Sequence, residues 1–412
     1  MKKIYYVFIL IALLSVSACM KSVKEDQFAD DSLSSVLKIT VKMPLGFDYT
    51  TQGLTVSLSD PSSGLKFSGV TDNAGVATIR VAHGTYIATT QVSHSESGGV
   101  IYIFNGTTEQ IRATPKDPSL INSNLNLNVS KAGQIIIKEF YYGGCIDVAT
   151  NKSYAKDQYF ILYNNTGETA YLDSLCVGVI DPFNAPTNGA TSAWVKPGTT
   201  ELRDSLPATS MGWMFPGRGK DYPLLPGGEV VISLNAINHK ATVSSSVDLG
   251  KAGYWALFDP ILTKAQAVPN AGVNLLKGYW KVGTATSYVM SIVSPALFIY
   301  SLGGKTTDQF VQSTYTWHPK QLTKRDFDCL MVDKNLVLDG VECFKNITDT
   351  KRIRPEVDNG FAITDGSGQG QSIHRKVDPI ATAAAGGRIV YMDTNNSSVD
   401  FEKRAKASLT NN

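Results

Sequence analysis

The chain predicts an all-β protein of two β-sandwich domains, a small one followed by a larger one with long insertions. Three observations carry this. Short runs of β-branched and aromatic residues recur between turn residues, most clearly over 134–180. There Ile135-Ile136-Ile137-Lys138-Glu139-Phe140, Tyr159-Phe160-Ile161-Leu162-Tyr163 and Ala170-Tyr171-Leu172 are separated by a loop and by an Asn164-Asn165-Thr166-Gly167 turn. Charged residues are 18% of the 412, against 35 Gly and 18 Tyr, a balance that suits an extracytoplasmic sheet protein better than a helical cytosolic enzyme. No stretch of helical periodicity exceeds three turns, although 320–322 could open a short helix. The formal net charge of +2 leaves no cationic stripe for phosphate backbones, so nucleic acid is not an expected partner.

Met1-Lys2-Lys3 is a basic start, and Ile4 to Leu14 is an apolar run too short to span a bilayer. Val16-Ser17-Ala18 then leads directly into Cys19. These residues resemble a bacterial lipobox. The resemblance implies a signal peptide over 1–18, cleavage before Cys19, lipidation of its thiol and acylation of the new amino terminus. Several acyl chains hold a protein on a membrane where one does not. Residues 19–35 form a polar tether with too little apolar content to fold. Within it, Lys24-Glu25-Asp26 and Asp30-Asp31 resemble the acidic export signal of Bacteroidota lipoproteins, which implies display on the outer face of the outer membrane.

The first domain is expected over 36–130. Leu37–Met43, Leu54–Leu58, Ala77–Val81, Tyr86–Val92 and Leu125–Val129 alternate apolar and polar residues, so each sheet has one wet face. Thr71-Asp72-Asn73-Ala74-Gly75 offers too few oxygens for a calcium loop and reads as a turn, with Gly75 supplying positive φ. Together with Ala77-Thr78-Ile79-Arg80-Val81 and Gly84-Thr85-Tyr86 it resembles the carboxypeptidase regulatory-like, or transthyretin-like, sandwich. That family implies a non-catalytic spacer.

The second domain is expected over 134–412. Beyond the runs already quoted, strands are predicted at Gly253–Phe258, Ser287–Val293, Ala296–Ser301, Asp328–Val332 and Arg388–Tyr391, with a Pro-Gly turn at Pro226-Gly227 entering another. The 135–173 runs, Leu225-Pro226-Gly227-Gly228-Glu229, Gly370–Lys376 and Asp393–Phe401 resemble the lamin-tail domain. The resemblance implies an immunoglobulin-like sandwich. Ile161 stands where that family usually carries Glu, so no role of that acid passes to this chain. The two domains in tandem resemble a family of uncharacterised Bacteroidota surface lipoproteins, often found with TonB-dependent uptake systems.

Motifs for chemistry are sparse. Asp393, Asn395, Asn396 and Asp400 put several oxygens in eight residues, enough for a hard cation, but without the spacing of a known loop; capped turns are the competing reading. The five histidines show no paired spacing, Gly303-Gly304-Lys305-Thr306 lacks the first glycine of a phosphate loop, and no G-x-S-x-G elbow occurs. Neither a metal nor a cofactor is expected, nor a catalytic set. Cys145, Cys176, Cys329 and Cys343 allow three disulfide pairings; proximity favours Cys145–Cys176 and Cys329–Cys343, with buried free thiols as the alternative. Trp255 and Trp280 are expected in the core. Trp194, Trp213 and Phe215 lie in a Gly/Pro-rich insertion, where ring faces could stack on a ligand or cover the edge of their own domain. The loops Asp181–Pro223 and Gly303–Gln321 are the expected display surfaces. The expected role is a lipid-anchored, non-catalytic surface accessory protein of a TonB-dependent system; an adhesion protein and a surface hydrolase are the alternatives.

Overall fold

The computed structural model describes residues 34–95, 101–116, 120–131, 133–181, 184–185, 195–196, 199, 201–208, 211–262, 266–281, 288–313, 316–317 and 329–411. The protein is all-β, as expected, and divides into two compact units. The smaller comprises 34–42, 49–90 and 108–125 among the described residues; 43–48, 91–107 and the described residues from 126 belong to the larger.

In the smaller unit, Ser34–Lys42 lies between Val76–Ala82 and Leu120–Asn126 in one sheet. Lys66–Val70, Thr55–Ser59 and Gly84–Ser95 belong to the other, with Ile111–Ala113 on Gly84–Tyr86. Alternation turns Leu37, Ile39 and Val41, and on the facing sheet Val56 and Leu58, into the core. Gly69 is required by this packing, because a Cβ there would stand 2.6 Å from Ile79 across the sandwich. The Asp72 carboxylate accepts the N–H groups of Ala74 (2.9 Å) and Val76 (3.0 Å), and Gly75 sits at φ +73°, the expected turn.

The larger unit is a second sandwich. A seven-stranded sheet runs in the order Asn274–Leu275, Trp255–Ala256, Glu229–Ser233, Tyr159–Asn164, Ile135–Tyr141, Ser372–Arg375, Phe401–Arg404. A six-stranded sheet faces it, ordered Lys277–Lys281, Met211–Met214, Cys176–Val179, Ala296–Tyr300, Val337–Phe344, Ala362–Ile363. The shared core takes Ile137, Phe160, Leu162, Ile232 and Ile373 from the first and Val177, Trp213, Leu297, Ile299 and Val341 from the second. A bulge between Ile137 and Glu139 reverses side-chain parity along the first strand. Ile135 and Ile137 enter the core before it, and Phe140 and Tyr142 after it.

Several expectations are corrected. Residues 288–293 form no strand: Tyr288 and Met290 alternate into the core, but no strand among the described residues pairs with them. Arg388–Tyr391 contributes only the single bridge Val377↔Tyr391. The insertion Asp181–Pro223 is not all loop, since Ser205–Ala208 and Met211–Met214 are strands paired on Cys329–Asp333 and Cys176–Val179. Within Gly303–Gln321 a helix, Thr307–Ser313, buries Phe310. The segment 320–322 lies outside the described residues. All four cysteines are buried thiols, so neither favoured disulfide forms. Cys176 and Cys343 are enclosed in the six-stranded sheet, where burial pushes both thiols well up and leaves them small apolar side chains.

Candidate functional site

Cys19 and Trp194 lie outside the described residues. Trp213 and Phe215 are fully buried, which corrects their reading as ligand-facing rings. Met211–Met214 is an interior strand between Cys176–Val179 and Lys277–Lys281, so Trp213 points into the sandwich and meets Tyr288 edge-on at 5.4 Å. Phe215 packs edge-on against Trp255 at 4.7 Å. The insertion covers its own domain, the competing reading, because burying large rings outweighs leaving them on a loop.

Exposed aromatic surface lies elsewhere. A cleft of about 680 Å³ opens in the larger unit. Its apolar lining comes from Phe47, Tyr102, Val129, Val337, Leu338 and Val357, and its polar lining from Gln134, Lys334, Asn335, Asp339, Glu356 and Asn395. Tyr102 and Phe104 are two apart on the Ile101–Thr107 strand and share a face. Phe47 meets both edge-on, at 5.2 and 5.1 Å; Phe104 is buried, and the half-buried Phe47 and Tyr102 line the cleft. A second cavity, about 500 Å³, is lined by Tyr171, Asp173, Ser174, Leu175 and 301–305, and again by Gln134 and Leu338. Asp173 accepts the N–H groups of Gly219, Asp221 and Tyr222, each at 2.9 Å; burial would raise its pKa, and these donors outweigh that and lower it. Lys220 Nζ lies 6.0 Å from the Tyr171 ring.

Behind the cleft wall sits a buried ion cluster. Arg375 Nη2 donates to both oxygens of Asp339, at 2.7 and 2.8 Å, while Nη1 reaches Asp400 at 3.2 Å and Asp393 at 3.3 Å. Nε donates to the Ile137 carbonyl at 2.9 Å, and the Phe401 ring lies 4.7 Å from the guanidinium carbon. Asp339 belongs to the six-stranded sheet and Arg375 to the seven-stranded one, so the pair ties the two layers together. Burial pushes Asp339 up to about 6 even beside Arg375. Asp393 and Asp400, the candidate cation ligands, thus face a guanidinium. Among the described residues no group of three His, Cys, Asp or Glu is placed to hold a metal ion.

Asp157 and His239 are also paired within the chain. Asp157 accepts Tyr141 at 3.0 Å and Ser246 at 2.6 Å, and the Cys145 thiol lies 3.6 Å away. Burial and this acid raise the Cys145 thiol, the reverse of an activated nucleophile. The His239 Nε2–H donates to the Asn235 carbonyl at 2.9 Å, leaving Nδ1 to accept the Tyr154 hydroxyl at 2.6 Å; burial lowers the ring's pKa.

Sequence reasoning missed Phe47, Tyr102 and the Arg375 cluster. A signal for Tyr102 existed in the alternating Ile101-Tyr102-Ile103-Phe104. One for the cluster lay in acids set among apolar strand residues, as in Leu338-Asp339-Gly340-Val341-Glu342, since a buried acid demands a partner.

The fold and cleft define an all-β sandwich protein with an aromatic-lined concave surface. Residues 225–408 match the sequence profile of DUF4876, a family of proteins of unknown function. The chain is similar in structure to a DUF4876 family protein from Bacteroides thetaiotaomicron, with 22% identity and a TM-score of 0.55 over 89% of this chain and 94% of that one, which supports the fold. A DUF3823 family protein from Parabacteroides merdae matches at 11% identity and a TM-score of 0.17, over 37% of this chain and 68% of that one. No curated protein matches the chain.

Proposed function

We propose that this protein is a non-catalytic binding subunit on the cell exterior, held at the outer membrane by a lipid on Cys19 and serving a TonB-dependent transporter. The carrying observation is the cleft at Phe47 and Tyr102, whose volume and mixed apolar and polar lining match those of ligand sites. The internal pairing of Asp157, Asp339 and His239 favours binding over bond-breaking, because those groups already serve the fold. The lipobox around Cys19 supports the anchor, and the carboxypeptidase regulatory-like and lamin-tail resemblances fit a spacer carrying a binding domain.

The test is to express the full chain in a Bacteroides host, feed an alkyne-tagged palmitate, and purify from detergent-solubilised outer membrane. The expected result is label on the protein, its loss in Cys19→Ala, and co-purification of an outer-membrane barrel. An unlabelled protein, or a labelled one recovered without any barrel, overturns the reading.

A further inference from the structure

We infer that the cleft at Tyr102 and the cavity at Tyr171 form one groove for an unbranched, uncharged oligosaccharide. The inference rests on the binding role above and names its ligand class. Gln134 and Leu338 line both cavities, so the two adjoin across that pair. A groove assembled from two adjoining cavities suits a chain-like ligand with repeating units better than a single compact molecule. Each half carries a partly exposed ring, Tyr102 in one and Tyr171, 38% exposed, in the other. A sugar ring presents a C–H face that packs on such a surface while its hydroxyls reach outward.

The charges on the walls are the deciding observation. Lys334 is paired with Glu356 at 2.9 Å, Asp339 turns both oxygens to Arg375, Asp173 is filled by three backbone N–H groups, and Lys305 donates to Ser313 at 2.9 Å. Apart from the exposed Lys305, whose partner is a neutral hydroxyl, each of these charges is already matched inside the chain, so a polyanionic ligand would meet one cation and would have to break a pair to reach a second. The uncharged groups differ. Among the described residues, the Asn335 amide, the Tyr171 hydroxyl and the Ser174 hydroxyl line the groove without an internal hydrogen bond. An acyl chain would leave them unsatisfied, whereas a neutral polyol matches them. The groove thus selects uncharged polar groups that alternate with C–H faces.

The experiment uses the chain from residue 19 with Cys19→Ser, which stays in solution, and isothermal titration calorimetry. The probes are gluco-, xylo-, manno- and galacto-oligosaccharides of two to six units, with an oligogalacturonate and an uncharged hexapeptide for comparison. The expected result is a hexasaccharide that binds about tenfold tighter than its disaccharide, since both halves are then filled, a difference of about 1.4 kcal/mol. Tyr102→Ala and Tyr171→Ala each remove that gain, Tyr102→Phe keeps it, and Tyr171→Phe, which keeps the ring face but loses the hydroxyl, retains part of it. Should Tyr102→Ala fail to fold, Asn335→Ala at an exposed position reads the same groove by weaker hexasaccharide binding. Failure of every neutral sugar at millimolar concentration, equal or tighter binding of the acidic oligomer or the peptide, or binding indifferent to both tyrosines overturns the inference. Failure here with the transporter still recovered removes the ligand class and leaves the binding role. Sugar binding without transporter recovery does the opposite.

Discussion

Two ion clusters are buried in the larger unit, and they differ in their balance of charge. At Arg375 one guanidinium serves three carboxylates, those of Asp339, Asp393 and Asp400. At Glu342 two acids, Glu342 and Asp358, meet two cations: Arg352 Nε lies 2.8 Å and Lys351 Nζ 3.0 Å from Glu342, and Lys351 lies 3.8 Å from Asp358. Both sets of acids are out of water. In the first, burial prevails and all three carboxyls are pushed up, Asp339 to about 6. In the second, burial opposes the charge on Glu342, yet Lys351 and Arg352 outweigh it and hold the carboxyl below its usual range. The ratio of cations to acids, and not burial alone, sets the direction.

The largest break in this comparison is Arg375→Met. It leaves three buried carboxylates without their cation and unties the two sheets, so we expect a loss of about 3–5 kcal/mol in urea unfolding. Arg352→Met is expected to cost less, about 2–3 kcal/mol, because Lys351 still neutralises Glu342. Equal losses in the two variants would remove charge balance as the explanation.

Protonation gives the smallest effect and the finest discrimination. The folded value of about 6 for Asp339 lies above its ordinary 3.8, so the folded state holds that proton more tightly than the unfolded chain does. Its stabilising share is complete below 3.8 and is lost as pH rises through 6. Glu342 runs the other way: its share is present above its unfolded value of 4.5 and is lost as pH falls through its lower folded value. Melting temperature measured from pH 4 to 7 should therefore decline less steeply in Asp339→Asn than in the parent. An unchanged slope would show that Asp339 does not hold the proton.

These clusters also mark where reading along the chain stops. The runs at Ile135–Phe140 and Tyr159–Tyr163, the alternation of Leu37, Ile39 and Val41, and the Asp72–Gly75 turn were legible because each is a property of neighbouring residues. The bulge at Lys138 was not, and it decides which residues of its strand reach the core. Residues 288–293 have strand periodicity but pair with no strand among the described residues, which periodicity does not report.

The candidate site was less legible still. Trp213 and Phe215 sit among glycines and prolines, the local signature of a loop, yet pairing with Cys176–Val179 makes Trp213 an interior residue and packing on Trp255 buries Phe215. Phe47 and Tyr102 are far apart in the chain and line one cleft only after folding. Local periodicity and turn chemistry were enough to establish a sheet protein, because hydrogen-bonded pleats impose a period of two on any chain that forms them. Which rings face solvent, which thiols stay free and which cation serves which acids depend on residues brought together from distant positions, as with Arg375 and Asp339, 36 residues apart. No local pattern encodes such meetings, so folding alone decided them.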